Sequence, residues 1–266
     1  MEMIATHDNT DAETLEDVGD RIKSTFIVLN KVAKGVIDQN IRAVIVSGAA
    51  GCGKSYTLEL ALENAESDGT ISYDSVKGAM SAIGLYRKLY ESSEEGSVLV
   101  LDDCDSIFSD LDALNLLKAA LDTGKTRKVH WNKESRVLAD EGIPNSFEFN
   151  GSVVFITNID FTAEIERDSK MTPHYKALLS RCLYVDLGIH SKREVFVRIS
   201  QVMFSTEFLK NNDLSMEQAQ KMMKWLNPKI ERVRTLSIRT ILQLASLVKT
   251  DSDWQGMADA IMLKKR

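Results

Sequence analysis

Short apolar runs at residues 43–46, 98–101 and 153–156 each end in small, polar or acidic residues. Runs of this length without alternation suit parallel strands buried on both faces. A further strand is expected near residues 71–76, and apolar positions recur at helical spacing over residues 22–37, 55–67, 81–91 and 112–121. This alternation predicts an α/β unit with a parallel sheet. After Ser191 the period is helical throughout, at residues 192–204, 215–226, 237–248 and 254–262. The expected divisions are a mobile acidic arm at 1–21, an α/β domain at 22–188 and a small helical domain at 189–266.

Composition narrows the picture in two respects. With 266 residues and 44% hydrophobic content, the chain can bury the core of one large domain and a smaller one. Its net charge of −6 argues against a surface that grips nucleic acid all over, so any DNA contact has to be local. Cys52, Cys104 and Cys182 are far apart, which fits neither a zinc site nor a disulfide framework and predicts a reducing compartment. No run approaches the roughly 20 apolar residues that span a bilayer, and no basic start precedes an apolar core at the N-terminus. The expectation is a soluble, non-secreted protein with no membrane partner.

Gly48-Ala49-Ala50-Gly51-Cys52-Gly53-Lys54-Ser55 fits G-x-x-x-x-G-K-[ST] between an expected strand and an expected helix. Glycines at these positions let backbone N–H groups converge on phosphates, and the helix N-terminus adds a field that favours an anion. Lys54 is expected to reach the β- and γ-phosphates of ATP, and the Ser55 hydroxyl to ligate Mg²⁺. Residues 48–55 together with Tyr56 form the expected nucleotide-binding set. The run Val98-Leu99-Val100-Leu101-Asp102-Asp103 delivers two acids at a strand's C-terminal end, where open α/β sheets bind ligands. Asp102 is placed to hold Mg²⁺ and Asp103 to polarise an attacking water. The competing reading makes such acids caps of the helix starting near Ser109, which suits Asp105 in particular.

With these motifs in this order, the chain resembles the AAA+ superfamily over roughly residues 22–248. The resemblance implies a P-loop three-layer sandwich followed by a helical lid, and the further roles below. In AAA+ proteins the magnesium strand usually ends Asp-Glu. Asp103 stands where Glu is expected, about 1.3 to 1.5 Å shorter in reach, which implies slower water activation. Asn158, ending residues 153–158, matches the polar residue called sensor 1. Leu178-Leu179-Ser180-Arg181-Cys182 is similar to the Ser-Arg-Cys motif of clamp-loader subunits. It implies that Arg181 reaches a neighbour's ATP site as an arginine finger. Arg239, in Thr235-Leu236-Ser237-Ile238-Arg239-Thr240, resembles the sensor 2 arginine, with Arg232 and Arg234 as neighbouring cations and Ser237 as N-cap. The segments LDDCDSIF, 145–158 and LLSRC are also similar to small AAA+ ATPases of tailed bacteriophages, which implies the cytoplasm of a bacterial host.

Residues 126–150 are expected to form a β-hairpin inserted before sensor 1, from alternation on both arms of a loop. Lys125, Arg127, Lys128, Lys133 and Arg136 with Trp131 offer charge and a stacking surface for DNA; the alternative is a solvated hairpin packed on the core. A second candidate contact is Lys77-Gly78-Ala79-Met80, which lacks the aromatic residue common in polypeptide-threading motors. His130, His174, Met222 and Met223 need no role beyond packing or surface.

The leading expectation is an ATPase, homo-oligomeric in a ring or partial ring, that remodels or moves a macromolecule such as DNA, a DNA-bound complex or a protein client. The alternative is an ATP-gated assembly or loading factor with little turnover. A small-molecule P-loop kinase is disfavoured, because it needs neither Arg181 nor a four-helix lid.

Overall fold

The computed structural model describes residues 13–205 and 207–265. In chain order, α1 (Leu15–Ile37), β1 (Ala43–Ser47), α2 (Lys54–Ser67), β2 (Ser72–Lys77), α3 (Ala82–Glu91) and β3 (Ser97–Asp102) come first. A 3-10 turn at Asp105–Ser109 leads to α4 (Leu111–Ala120), β4 (Lys128–His130), α5 (Arg136–Asp140), β5 (Ser146–Glu148) and β6 (Ser152–Thr157). Then follow α6 (Phe161–Glu166), α7 (Thr172–Leu179), β7 (Leu183–Asp186), α8 (Lys192–Ser205), α9 (Phe208–Asn211) and α10 (Met216–Leu226). After a second 3-10 turn at Asn227–Lys229, α11 (Ile238–Thr250) and α12 (Trp254–Met262) end the order.

Two compact units are distinguished. One holds Ile27–Gly48 and Lys54–Leu187, the other the described residues of Met1–Phe26, Ala49–Gly53 and Gly188–Arg266. The first unit is built on a five-stranded parallel sheet in the order β2-β3-β6-β1-β7. Every residue of β1, β3 and β6 is buried, so both faces of the central strands are covered. This is the layered α/β arrangement that the unbroken apolar runs predict. Its core joins Ile45, Leu99, Leu101 and Phe155 to Leu85, Leu89, Leu114 and Leu117. Phe161 meets Phe108 and Tyr175 edge-on.

Residues 1–12 of the expected acidic arm lie outside the described residues. Helix α1 begins at Leu15, seven residues before the expected start, and Thr14 and Asp17 exchange hydrogen bonds at its entry. In the expected insert, β4 and β5 pair antiparallel, but each has only three residues. The segment expected as a loop contains α5, capped by Ser135. Strand β7 was not expected.

In the second unit, a reciprocal Ser215–Gln218 capping box starts α10. Trp225 and Trp254 pack at 6.2 Å between ring centroids. The Glu194 carboxylate accepts from the Arg21 guanidinium at 2.6 Å and from the His190 and Ser191 amides at 2.9 and 2.8 Å. Burial alone would raise this carboxyl. The Ser191 amide, Arg21 and the His190 amide outweigh it and hold the group down at about 2.

Candidate functional site

Residues 48–53 connect β1 to α2, whose first residues are Lys54 and Ser55. Gly51 and Gly53 have φ of +69° and +99°, a region ordinary side chains rarely adopt. A Cβ on Gly51 would lie 2.9 Å from the Ser237 Cβ, so the loop approaches the start of α11 too closely for a side chain. There the Ile238 amide donates to the Gly51 carbonyl at 2.9 Å. Ser237 is the N-cap of α11, and its amide donates to the Thr240 hydroxyl at 3.0 Å. Arg239 is exposed, and its Cγ would be 3.9 Å from a Cβ on Gly51. Tyr56 follows Ser55 with its side chain 67% exposed.

On the sheet side, Lys54 is 5% exposed and donates to the Gly48 carbonyl at 2.7 Å and to Asn158 Oδ1 at 2.8 Å. Asn158 Nδ2 donates to Asp103 Oδ1 at 2.9 Å. One amide thus links the lysine to the acid, donating with one atom and accepting with the other. Asp103 has φ of +54°, a left-handed conformation that short acidic side chains tolerate. This bend follows directly on β3 and takes Asp103 out of the strand while Asp102 stays in it.

Ser55 Oγ donates to Asp102 Oδ1 at 3.0 Å. Burial first, and Asp103 next door, raise the Asp102 carboxyl, against the lowering effect of Ser55. A hydroxyl and a carboxylate in contact form a hard-oxygen pair of the kind that suits Mg²⁺ held mainly by phosphates and water. No cluster of three acidic, histidine or cysteine residues that could hold a metal ion occurs among the described residues. The Lys77 ammonium lies 2.5 Å from Glu59 Oε1 and 3.8 Å from Asp102 Oδ2. Glu59 and Lys77 therefore border the Ser55–Asp102 pair, and no motif in the sequence marks Glu59 for this position. Asp105 caps nothing: it accepts from the Thr157 hydroxyl at 2.6 Å, and α4 is capped by Asp110.

Arg181 follows α7 and is folded onto its own chain. Its Nη1 donates to the Ala177 carbonyl at 2.7 Å, and Nη2 lies 3.7 Å from Asp122 Oδ1. Its side chain keeps 27% of its surface exposed.

The insert departs furthest from expectation. Arg127 is 5% exposed, donates to the Ala120 and Gly151 carbonyls and lies over the Phe149 ring. Burial lowers its guanidinium to about 10. It is a core residue and unavailable to DNA. Trp131 packs against Tyr86, and Val129, Leu138, Ile143 and Phe147 join the core, so the hairpin is packed down. Lys133 pairs with Asp112, whereas Lys125, Lys128 and Arg136 are exposed. In the other candidate contact, Met80 is partly buried against the core and both its backbone groups bond the Ser106 hydroxyl.

No helix among the described residues is long and apolar enough to cross a membrane. No family model matches the chain. An Enterobacteria phage T4 protein, described as "Uncharacterized 36.7 kDa protein in nrdC-mobD intergenic region", is 46% identical over 247 residues, covering 92% of this chain and 76% of that protein. Domain III of the Thermotoga maritima replication initiation protein DnaA is similar in structure, with a TM-score of 0.53 and 13% identity. The match covers 97% of this chain and 99% of that domain.

Proposed function

Because the chain belongs to the family of this phage T4 protein and has the AAA+ fold, we propose that it is an ATPase acting at the interfaces of an oligomer, in the cytoplasm of a bacterial host. The observation that carries the proposal is the Lys54–Asn158–Asp103 relay beside the Ser55–Asp102 pair. Lys54 holds the β- and γ-phosphates, and backbone amides of residues 48–56 receive the remaining phosphate oxygens. Ser55 and Asp102 would hold magnesium, which would supply positive charge against the nucleotide's phosphates. Asp103 accepts a proton from the attacking water, and Asn158 orients that water against the terminal phosphate. Arg181 of one copy serves its neighbour after leaving Ala177 and Asp122, and Arg239 reports nucleotide state from the start of α11.

The work done is movement or remodelling of a macromolecule, with DNA or a DNA-bound complex favoured over a protein client. Exposed Lys125, Lys128 and Arg136 support a local contact on an acidic protein. The DnaA likeness supports the fold on which such work is built. A second reading, an ATP-gated loading factor with little turnover, is favoured by the short Asp103 side chain, already engaged by Asn158. Steady-state phosphate release with and without DNA separates the two. DNA-stimulated turnover supports the motor, whereas ATP binding without turnover under either condition supports the gate.

A further inference from the structure

Arg198 of α8 lies in the same compact unit as residues 49–53 of the phosphate loop. Its Nε donates to the Cys52 carbonyl at 3.2 Å, and its Nη2 would lie 3.5 Å from a Cβ on Gly53. The guanidinium carbon sits 3.4 Å from the centroid of Phe26, a ring only 6% exposed. The surrounding frame is fixed: Arg21 is paired with Glu194, and the Gln201 amide donates to the Gly19 carbonyl at 2.6 Å.

Arginine carries five N–H donors. Among the described residues only Nε of Arg198 has a protein acceptor, and no carboxylate lies within ion-pair distance. A partly desolvated cation without an anion is costly, and such a group persists where an anion completes it. Burial is the main cause that brings this guanidinium down to about 10. Nη2 lies beside Gly53, in the part of the loop whose residue pattern is that of a phosphate cradle.

We propose that Arg198 is a nucleotide-binding residue whose free guanidinium donors bind the α- and β-phosphates beside Cys52 and Gly53. This rests on the phosphate loop binding nucleotide, and adds a cation supplied by α8 that the loop motif does not contain. Because ADP and ATP share these phosphates, the contact strengthens both equally. It therefore sets affinity and leaves discrimination of the γ-phosphate to other groups.

The test is direct titration of ADP and a slowly hydrolysed ATP analogue against the full chain, its Arg198→Gln and Arg198→Lys variants, and Lys54→Ala. Arg198→Gln is expected to weaken both nucleotides by about tenfold or more, as for a lost charged hydrogen bond. The ratio of the two affinities should stay unchanged, and Arg198→Lys should recover part of the loss. A folded Arg198→Gln protein that binds both nucleotides within twofold of the unsubstituted chain overturns the proposal, including when its melting temperature falls. If that happens while Lys54→Ala abolishes binding, the phosphate-loop reading stands and only Arg198 is misassigned. Undiminished binding by Lys54→Ala would instead remove the reading beneath both. If Arg198→Gln does not fold, arginine-selective dicarbonyl labelling of the unsubstituted protein, read by peptide mass, decides. Saturating ADP should protect Arg198, and equal labelling with and without ADP overturns the proposal.

Discussion

Asn158 donates to Asp103 across 2.9 Å, and the acid receives that bond from a backbone with φ of +54°. A left-handed residue costs about 1–2 kcal/mol for most side chains and less for Asp or Asn. Position 103 thus constrains chemistry and backbone together. Asp103→Asn should keep fold and ATP binding while losing turnover, as read by nucleotide titration and phosphate release. Asp103→Glu should raise turnover by extending reach, at a stability loss of about 1 kcal/mol in urea unfolding.

Arg181→Ala should bind nucleotide normally and lose hydrolysis by about 10³ where a finger dominates. Mixed with Asp103→Ala, it should regain activity, because some interfaces then pair an intact acid with an intact arginine. Subunit exchange is verified by fluorescence transfer before nucleotide is added. Proven co-assembly without recovery would mean that Arg181 acts only within its own chain.

Arg127→Ala should cost about 2–4 kcal/mol in unfolding free energy, because two carbonyls lose their donor and a space opens beside Phe149. It should leave the salt dependence of DNA binding unaltered. Replacing Lys125 and Lys128 with Ala should instead lower the salt slope by about two, roughly one for each lost phosphate contact. Binding measured between low and moderate salt distinguishes these outcomes.

Glu194 gives the second unit an acid-sensitive contact. Its carboxyl is depressed from an ordinary 4.5 to about 2, so its contribution is full above 4.5 and is lost as pH falls through about 2. The shift corresponds to about 3 kcal/mol. Glu194→Gln should therefore be less stable by about that amount at neutral pH, with the difference shrinking below pH 4.5 and vanishing near pH 2. Urea denaturation across that range measures it.

Much of this site is legible locally. The loop at residues 48–55 and the two acids at the C-terminal end of β3 declare themselves by residue type at fixed spacing, and the apolar runs of β1, β3 and β6 carry them. Strand β7 leaves little pattern in the sequence because it has four residues and opens with an exposed Leu183. The charge of Arg127 points to the surface, whereas its spacing points to the core. Arg127 immediately precedes β4, two residues before Val129, and both are buried while Lys128 between them is exposed. Arg198 lies far along the chain from Cys52 and Phe26, and no local pattern announces their meeting.

The order β2-β3-β6-β1-β7 leaves β2 and β7 with one sheet neighbour each. The outer side of an edge strand is a template on which another strand can add. Here one edge carries Asp74 and Lys77, and the other is four residues long and closes on Asp186. Charge and brevity blunt both against self-templating. Copies brought together at high local concentration can therefore meet through side-chain surfaces and come apart again, without their sheets fusing into a continuous fibre.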